Sequence, residues 1–337
     1  PERRMAMNGP HAIILACDDA YAYCAAVAIA SIIRHTDSDI DFILLDDGIS
    51  DEKKQDLFSC IHGRPGIRLR FMDMAPLAAR FPDGMFSCRD YWQRSTYFRL
   101  FCPDMLPEYD MVLYLDCDVL IRADVSELFR FQMPEKTLCG AVFDNLGYRD
   151  STHMIHQLFK LKLPYCYRYF NAGVLLMNLA EMRKVGFTEQ CLQIMRRGPL
   201  KWQDQDVLNL VCRNHVFYLP VEWNRMLVEP YEPENRTLAR LAGRHPVGQA
   251  KLIHYSGFCK PWFGREVQYA SFWWEVAETL PFLENMELFF LKTSRKYLLM
   301  RINRLLYMFR YSYSIRLGLA LTWLPRKALS ILTGKEY

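Results

Sequence analysis

Residues 111–121, MVLYLDCDVLI, join an apolar run to two aspartates. The run is typical of a buried β-strand, which Asp116 and Asp118 interrupt. Residues i and i+2 of a strand point to the same side with Cα atoms about 6.6 Å apart, so both carboxylates can reach one hard divalent cation. The other interpretation is that Asp118 caps the following turn while Asp116 is solvated.

Apolar segments on both sides of this run predict alternating strands and helices. A helical pattern of small residues extends to about Arg34, Ser50 is an N-cap before a second helix, residues 187–214 are helical, and residues 220–248 form a loop. The predicted strands are HAIILAC (11–17), IDFILLDD (40–47), IRLRFMDM (67–74), LCGAVFD (138–144), AGVLLMNL (172–179) and LIHY (252–255). This order predicts an α/β fold with a mostly parallel sheet, helices on both faces, and ligands at the carboxyl ends of the strands.

Acidic residues follow other predicted elements as well. Asp18 and Asp19 come directly after the first strand. Asp19 fits the N-cap of the next helix, whereas Asp18 is placed to hydrogen-bond a nucleoside at the carboxyl end of the sheet. The segment WQDQD, residues 202–206, fits a helix start at which Asp204 or Asp206 interacts favourably with the helix dipole.

The last predicted strand runs into HYSGFCKPW, residues 254–262. A neutral imidazole at His254 is a good metal ligand, Gly257 permits a close backbone approach, and Lys260 supplies a point charge for phosphate. A single histidine after a strand is more often structural. Its combination with Gly257 and Lys260 favours a phosphate-binding segment.

Six motifs in this order resemble glycosyltransferase family 8, from about His11 to Trp262. They are ACDDAY (16–21), TYFRL (96–100), YLDCDVL (114–120), YFNAGVLLMNL (169–179), WQDQD (202–206) and HYSGFCKPW (254–262). The similarity is strongest to bacterial lipopolysaccharide and lipooligosaccharide galactosyl- and glucosyltransferases. It implies a GT-A fold, a metal ion, and UDP-galactose or UDP-glucose as the donor of a sugar that is transferred to a saccharide acceptor.

The resemblance assigns the matching positions to three parts of a donor site. The Mn²⁺ ligands, with Mg²⁺ as the alternative ion, are Asp116, Asp118 and His254. The residues of the nucleoside and diphosphate part are Ala16, Asp18, Gly257 and Lys260, with Cys117 as a further donor-binding position. The residues around the transferred sugar are Arg99, Asn171, Ala172, Asp204 and Gln205.

The family retains the anomeric configuration of the sugar, and the resemblance makes Asp204 and Gln205 the catalytic residues. Asp204 can favour the positive character of the sugar in the transition state. Gln205 matches the position that faces the anomeric carbon. An amide is a poor nucleophile, so we expect a front-face transfer in which the departing phosphate guides the acceptor hydroxyl.

Two regions differ from the family pattern. Ala20 stands where members commonly have asparagine, so a nucleoside hydrogen bond of that side chain is missing. Residues 81–93, on the acceptor side, are rich in aromatic and charged residues, among which Tyr91 and Trp92 are candidate sugar-stacking groups.

The charge of the chain is concentrated at its C-terminal end. Residues 288–337 hold ten basic residues and one acid, a net charge of +9, so the first 287 residues carry −5 of the total of +4. Leu291, Leu298, Ile302, Leu305 and Phe309 share one helical face, which basic residues flank or oppose. The pattern predicts a helix on an anionic membrane surface; the other interpretation is a helix packed on the body with a solvated basic face. No nucleic-acid-binding module is recognisable.

Taken together, these features predict a GT-A domain at residues 11–285 and a basic amphipathic, membrane-associating region at residues 286–337. The eleven cysteines contain no CxxC pair, which favours a reducing compartment. With no apolar run of about 20 residues and no signal-peptide pattern, we expect a cytoplasmic protein, peripheral on the cytoplasmic face of the inner membrane.

Two other functions are weighed against this prediction. A phosphatase of the haloacid dehalogenase type also places a DxD motif after a strand, but Leu120 stands where those enzymes usually have Thr or Val. A catalytically idle protein that binds sugar nucleotides or the membrane is the second alternative, and Ala20 is compatible with it.

Overall fold

The computed structural model describes residues 9–82, 85–86, 93–144, 156–164, 168–198, 200–227, 249–257, 260–265 and 267–293. In this part of the chain the strands are β1 (His11–Cys17), β2 (Ile40–Asp46), β3 (Ile67–Asp73), β4 (Met111–Leu115), β5 (Val119–Ile121), β6 (Cys139–Phe143), β7 (Phe170–Asn178), β8 (Val216–Tyr218), β9 (Arg225–Met226) and β10 (Leu252–His254). The helices are α1 (Ala22–Ile33), α2 (Asp51–Ile61), α3 (Ala75–Ala78), α4 (Cys102–Met105), α5 (Ser126–Phe129), α6 (Leu179–Lys184), α7 (Phe187–Met195), α8 (Gln203–Val211) and α9 (Ala270–Ala277).

A seven-stranded sheet in the order β3-β2-β1-β4-β7-β6-β8 forms the centre of the fold. Strand β1 pairs in parallel with β2, from His11 opposite Ile40 to Cys17 opposite Asp46, and in parallel with β4 on its other side. Strand β7 runs antiparallel to both of its neighbours, β4 and β6. The predicted α/β fold with a mostly parallel sheet is confirmed, and β7 is the one strand of this sheet that runs against the others.

The segment from Met111 to Ile121 forms two strands in two different sheets. The prediction of one strand across it was wrong. Strand β4 belongs to the large sheet, whereas β5 belongs to a small sheet in the order β5-β10-β9. Asp116 and Asp118 lie in the turn between them, because two carboxylates are not accommodated in the fully buried strand that the apolar residues form. The two side chains therefore lie close together because of this turn, and the predicted alternation of side chains along a strand does not apply to them.

Helix α1 is buried along its whole length and packs against α2 and β5. The next helix begins after Ser50 as predicted, but the Ser50 hydroxyl makes no capping bond and instead donates to Asp19 Oδ1 at 2.7 Å. The cap after β1 is Asp18, which accepts from the Tyr21 backbone N–H at 3.2 Å. The N-cap that the sequence suggested for Asp19 is therefore wrong, since Asp19 is occupied by Ser50 and Lys53.

The segment 187–214 is divided between α7 and α8, so the prediction of one helical region holds only in outline. Gly198 has a φ of +120°, a backbone conformation that interrupts a helix. Of the predicted loop 220–248, the structure describes residues up to 227, which contain a 3₁₀ turn at Val221–Trp223 and the short strand β9. This strand pairs with β10, which places the start of the loop beside the end of the last strand.

The chain divides into two units, Pro1–Met286 and Glu287–Tyr337. Residues 287–293 of the second unit are helical. Residues 294–337, which hold most of the predicted basic membrane-associating region, lie outside the described residues. Among the residues that the structure describes, no helix has both the length and the apolar character needed to cross a bilayer.

Candidate active site

The turn Asp116–Cys117–Asp118 brings two carboxylates to the end of β10. The Asp116 backbone N–H donates to the Gly173 carbonyl at 2.8 Å, and the Tyr255 N–H donates to the Asp118 carbonyl at 2.9 Å. The turn is thereby held between β7 and the residue that follows β10. One ligand atom each of Asp116, Asp118 and His254 then lie within 4.8 Å of one another.

The donor set of this cluster fits a hard divalent cation. His254 Nε2 lies 3.1 Å from Asp118 Oδ1 and 3.8 Å from Asp116 Oδ2. Asp118 Oδ1 is buried and accepts no hydrogen bond, so it is an oxygen whose desolvation is not compensated by the protein. Two carboxylates and an imidazole suit Mn²⁺ or Mg²⁺, which commonly keep further positions for phosphate oxygens.

Lys260 lies against the Asp118 side of the cluster. Its buried ammonium donates to Asp118 Oδ2 and, at 2.9 Å, to the Tyr255 carbonyl. Burial raises the pKa of Asp118, but the adjacent Lys260 and, after it, His254 outweigh this effect and hold that pKa well below its ordinary value. Asp118 is therefore ionised at neutral pH, as a metal ligand must be.

Gly173 allows the cluster of Asp116, Asp118 and His254 to form. It was not among the site residues predicted from the sequence. A Cβ at this position would lie 2.3 Å from His254 Cε1 and 2.7 Å from Asp116 Oδ2. The imidazole and the carboxylate are therefore pressed against the bare backbone of β7. A glycine inside an apolar strand commonly marks such a close approach, and this was the available signal.

Arg99 connects the carboxylate cluster to helix α8. Its side chain is 2% exposed, with Nη2 2.8 Å from Asp116 Oδ1 and Nε 3.1 Å from Asp204 Oδ2. Nη1 donates to the Ala172 carbonyl, and the guanidinium lies 4.1 Å from the centre of the Tyr114 ring. Most of its donors are thus used within the protein, so Arg99 orients the two aspartates that flank it.

Asp204 is the second buried carboxylate of the site. It accepts from Thr96 Oγ1 at 2.9 Å through Oδ1, while Oδ2 faces Arg99 and accepts no hydrogen bond. Burial raises its pKa and the charge of Asp116 adds to this, while Arg99 lowers it; the resulting pKa is about 6. A carboxylate of this kind is poised to respond to positive charge that develops beside it.

Gln205 lies next to the predicted residues Asn171 and Ala172. Its Oε1 accepts from the Ala172 backbone N–H at 3.0 Å and from Asn171 Nδ2 at 3.1 Å, and its Nε2 donates to Asp144 Oδ2 at 3.0 Å. Asp144, which directly follows β6, was not predicted as a site residue. An acid at the carboxyl end of a predicted strand is the same signal that pointed to Asp116 and Asp18.

The start of helix α8 is held by Asp206, for which the sequence predicted only a favourable interaction with the helix dipole. Asp206 accepts from Tyr169 Oη at 2.7 Å, from the Trp202 N–H at 2.9 Å, and lies 2.8 Å from His156 Nε2. Gln203, just before the two predicted catalytic residues, has a φ of +47°. The anchored helix start compensates for this unfavourable backbone conformation.

The residues expected on the nucleoside side lie around the end of β1. Cys117 Sγ lies 3.5 Å from the Ala16 carbonyl oxygen, so the turn of the carboxylate cluster touches β1. Burial raises the pKa of Asp18. The ring of Tyr21, whose N–H Asp18 caps, has its centre 6.0 Å from Lys260 Nζ.

Other expected residues are less directly placed. Gly257 has a φ of +68°, which explains a glycine there. Ala20 lies in the exposed turn after Asp18. Tyr91 and Trp92, the candidate acceptor residues, lie outside the described residues.

Residues 12–265 match the sequence profile of the family described as "Glycosyl transferase family 8". The chain belongs to glycosyltransferase family 8. The family assignment made from the six motifs is thereby confirmed, and so is the GT-A-like fold.

Several known proteins are similar to this family 8 glycosyltransferase. A lipopolysaccharide 1,2-glucosyltransferase of Escherichia coli K12 is 30% identical over 179 residues, which are 52% of this chain and 51% of that enzyme. The match thus spans only about half the length of that relative. A putative glycosyltransferase of Haemophilus influenzae is 26% identical over 298 residues, covering 80% of this chain and 84% of that protein. Among solved structures, this chain resembles the galactosyltransferase LgtC, crystallised in complex with donor and acceptor sugar analogues. The TM-score is 0.65 and the sequence identity is 28%, and the match covers 80% of this chain and 96% of that one.

Proposed function

We propose that this family 8 protein is a retaining hexosyltransferase that moves galactose or glucose from a UDP-sugar to a saccharide acceptor. The acceptor that we propose is the lipopolysaccharide or lipooligosaccharide core, or another glycan. The observation that carries the proposal is the convergence of Asp116, Asp118 and His254 within 4.8 Å, beside the buried Lys260. The names of the similar proteins support the class of donor and acceptor.

The donor end of the proposed site is built around the carboxylate cluster. Asp116, Asp118 and His254 would hold Mn²⁺, with Mg²⁺ as the alternative, and the ion would supply positive charge to the diphosphate of the donor. Lys260, already fixed against Asp118, adds a further positive charge on the same side, and Gly257 offers backbone without a side chain. The Lys260 charge would stabilise the leaving UDP more strongly as its bond to the sugar breaks, and a bound ion would supply further positive charge there.

The nucleoside would lie at the carboxyl end of β1. Ala16, Asp18 and Cys117 are the residues that we propose for it. Asp18 Oδ1 accepts from the Tyr21 N–H at 3.2 Å, and we propose that the same carboxylate also accepts from a ribose hydroxyl. Ala20 offers no side-chain hydrogen bond, and the nucleoside contact therefore depends on its neighbours.

The transferred sugar would lie between the carboxylate cluster and the start of α8. Asp204, buried and lacking a hydrogen bond at Oδ2, favours positive charge on the anomeric carbon. Gln205 has its carbonyl oxygen fixed by Ala172 and Asn171, which orients this group without making it a strong nucleophile. A front-face transfer, with the acceptor hydroxyl guided by the departing phosphate, agrees with a rigid amide at this point.

UDP release from UDP-galactose and UDP-glucose, with and without Mn²⁺, tests the proposal directly. We expect release of UDP from at least one donor, loss of release in EDTA, and loss of release in Asp116→Asn and Asp118→Asn variants that remain folded. Binding of the UDP-sugars without any UDP release, with and without saccharide acceptors, would contradict the proposal and favour the catalytically idle alternative. A glycosyl adduct trapped on Gln205 or Asp204 would contradict the front-face transfer alone.

We also propose that residues 286–337 attach the protein to the cytoplasmic face of the inner membrane. The net charge of +9 over residues 288–337 supports an anionic surface as the partner, at about 1 kcal/mol for each basic residue close to that surface. An acceptor carried on a lipid would be reached most readily by an enzyme that lies on the same surface.

A further inference from the structure

A single line of hydrogen-bonded side chains connects the proposed metal ligand His254 to Gln205. Asn224 stands between His254 and Asn171: its Oδ1 lies 2.9 Å from His254 Nδ1, and its Nδ2 donates to Asn171 Oδ1 at 2.8 Å. Asn171 Nδ2 in turn donates to Gln205 Oε1. Asn224 is 1% exposed and belongs to none of the six motifs.

Two backbone groups determine the direction of this line. The Gly173 N–H donates to Asn171 Oδ1 at 2.9 Å, and the Ala172 N–H donates to Gln205 Oε1 at 3.0 Å. A backbone N–H can only donate, so both of these side-chain atoms are oxygens. The nitrogen of Asn171 must then face Gln205, and the atom of Asn224 that faces Asn171 Oδ1 must be the amide nitrogen.

The tautomer of His254 follows from this direction. Since the nitrogen of Asn224 is used on Asn171, its oxygen is the atom that faces His254 Nδ1. An oxygen acceptor requires that Nδ1 carry the proton. In the neutral imidazole that binds a metal, Nε2 is then left with its lone pair, and this is the atom that lies 3.1 Å from Asp118 Oδ1 and 3.8 Å from Asp116 Oδ2.

The backbone holds Asn224 in this position. It lies between the 3₁₀ turn Val221–Trp223 and β9, and β9 pairs in parallel with β10 so that Arg225 is opposite Ile253. The Leu227 N–H donates to the His254 carbonyl at 3.1 Å, which closes the pairing one residue beyond the strand. The Asn224 side chain is thereby carried by an element that is fixed to the strand of His254.

We propose that Asn224 is a positioning residue that sets both the tautomer of His254 and the amide orientation of Asn171. It acts through its oxygen on the metal end of the site and through its nitrogen on the sugar end. A hydrogen-bond acceptor behind a ligating histidine typically changes metal affinity by about 10- to 100-fold when it is removed. This inference deepens the proposed function and rests on it.

The tautomer is tested first, on the full chain without metal. ¹⁵N NMR of protein labelled at histidine, with the signals of His254 assigned by their loss in His254→Asn, reports which ring nitrogen carries the proton. We expect a proton on Nδ1 in the wild type, whether or not Nε2, which lies 3.1 Å from Asp118 Oδ1, carries a second one. In Asn224→Leu we expect the proton to move toward Nε2, where Asp118 offers an acceptor. A wild-type His254 with its only proton on Nε2 would overturn the inference, whatever the activity of the protein.

Binding of Mn²⁺ alone, measured by calorimetry, distinguishes the effect of the Asn224 contact with His254 from that of its contact with Asn171. Asn224→Leu removes both hydrogen bonds and should weaken Mn²⁺ binding about 10- to 100-fold. Asn224→Asp keeps an acceptor for His254 but cannot donate to Asn171, so Mn²⁺ affinity should stay within a few-fold of the wild type. The same Asn224→Asp protein should lose about 10- to 100-fold in kcat for UDP release, since a misplacement of about 1 Å costs on this order.

A matched control is Asn209→Leu. Asn209 is also fully buried and uses its amide on backbone groups: it accepts from the Phe170 N–H at 2.9 Å and donates to the Phe170 and Gln205 carbonyls, each at 2.9 Å. Because it contacts Gln205 and not His254, it is a control for Mn²⁺ affinity alone. It should lose stability comparably in urea while it keeps the Mn²⁺ affinity of the wild type.

Equal Mn²⁺ affinity in folded Asn224→Leu, or full kcat in Asn224→Asp, would overturn the inference. If Asn224→Leu does not fold, the NMR result and Asn224→Asp decide it. If the wild-type protein neither binds Mn²⁺ nor releases UDP, the proposed function is refuted. The NMR measurement of the His254 tautomer then still tests the role of Asn224.

Discussion

Replacing Gly173 by alanine should disable the proposed metal site while leaving the sheet intact. The added Cβ would lie 2.3 Å from His254 Cε1 and 2.7 Å from Asp116 Oδ2, where an ordinary contact begins at 3.4 Å. The imidazole must therefore retreat by about 1 Å, because the backbone of β7 is held by β4 and β6 on both sides. A displacement of this size at a reacting group costs about 100-fold in rate.

Gly140 provides the matched control, since it also lies inside the central sheet and is buried. A Cβ at Gly140 would meet Leu176 Cβ and the Leu219 side chain at 3.4 Å, contacts that side chains can accommodate. We expect Gly140→Ala to bind Mn²⁺ and release UDP at close to wild-type levels, and Gly173→Ala to lose most of both. For both variants, overpacking should reduce the free energy of unfolding by no more than about 1–3 kcal/mol.

The assays are Mn²⁺ titration by calorimetry, UDP release from UDP-galactose and UDP-glucose, and urea unfolding of each variant. Urea unfolding shows whether Gly173→Ala is folded under the conditions of the other two measurements. A folded Gly173→Ala protein that binds Mn²⁺ as tightly as the wild type, or releases UDP at the same rate, would refute the reasoning. It would mean that the contact of His254 and Asp116 with β7 has no part in forming the site.

Four further predictions concern charge. The pKa of Asp204 is raised to about 6, so UDP release should fall as the pH drops through about 6, and this loss should be absent from the pH profile of the slower Asp204→Asn variant. Because the folded-state pKa exceeds the unfolded value of 3.8, metal-free wild type should gain stability relative to Asp204→Asn as the pH falls from 7 toward 4, measured by urea unfolding. Lys260→Met should cost about 3–5 kcal/mol of unfolding free energy, because the buried Asp118 loses its lysine partner. Combining it with Asp118→Asn should recover part of that loss, and simple addition of the two single losses would contradict the coupling. Deletion of residues 288–337 should abolish sedimentation with anionic vesicles while UDP release continues, and unchanged sedimentation would contradict the proposed role of this segment.

Much of the central sheet was predictable because its strands are apolar runs of limited length. Strand β1 has the predicted bounds, and β2, β3, β6 and β10 differ by one or two residues at their ends. Apolar runs report burial on both faces of a sheet but carry no information on strand direction. The antiparallel course of β7 therefore could not be read from its residues.

The candidate site was predictable to the extent that its residues belong to recognisable motifs. Asp116, Asp118, His254 and Lys260 were all expected, and the structure brings them together. The expected reason was partly wrong, because the two aspartates lie in a turn between two sheets. A DxD motif identifies the carboxylates whether a strand or a turn presents them.

Asn224, Asp144 and Gly173 show what the sequence alone did not reveal about the site. Gly173 lies within one of the six motifs but was not singled out there, whereas Asn224 and Asp144 lie outside all six. Each acts on a side chain that is distant in the chain: Gly173 and Asn224 on His254, and Asp144 on Gln205. The order of residues determined the apolar strands, the acids that end them and the basic C-terminal segment, since these depend on local hydrophobicity and charge. Only the tertiary structure decided which amide faces which ring nitrogen and which backbone the imidazole touches, because those contacts depend on the pairing of strands that lie far apart in the chain.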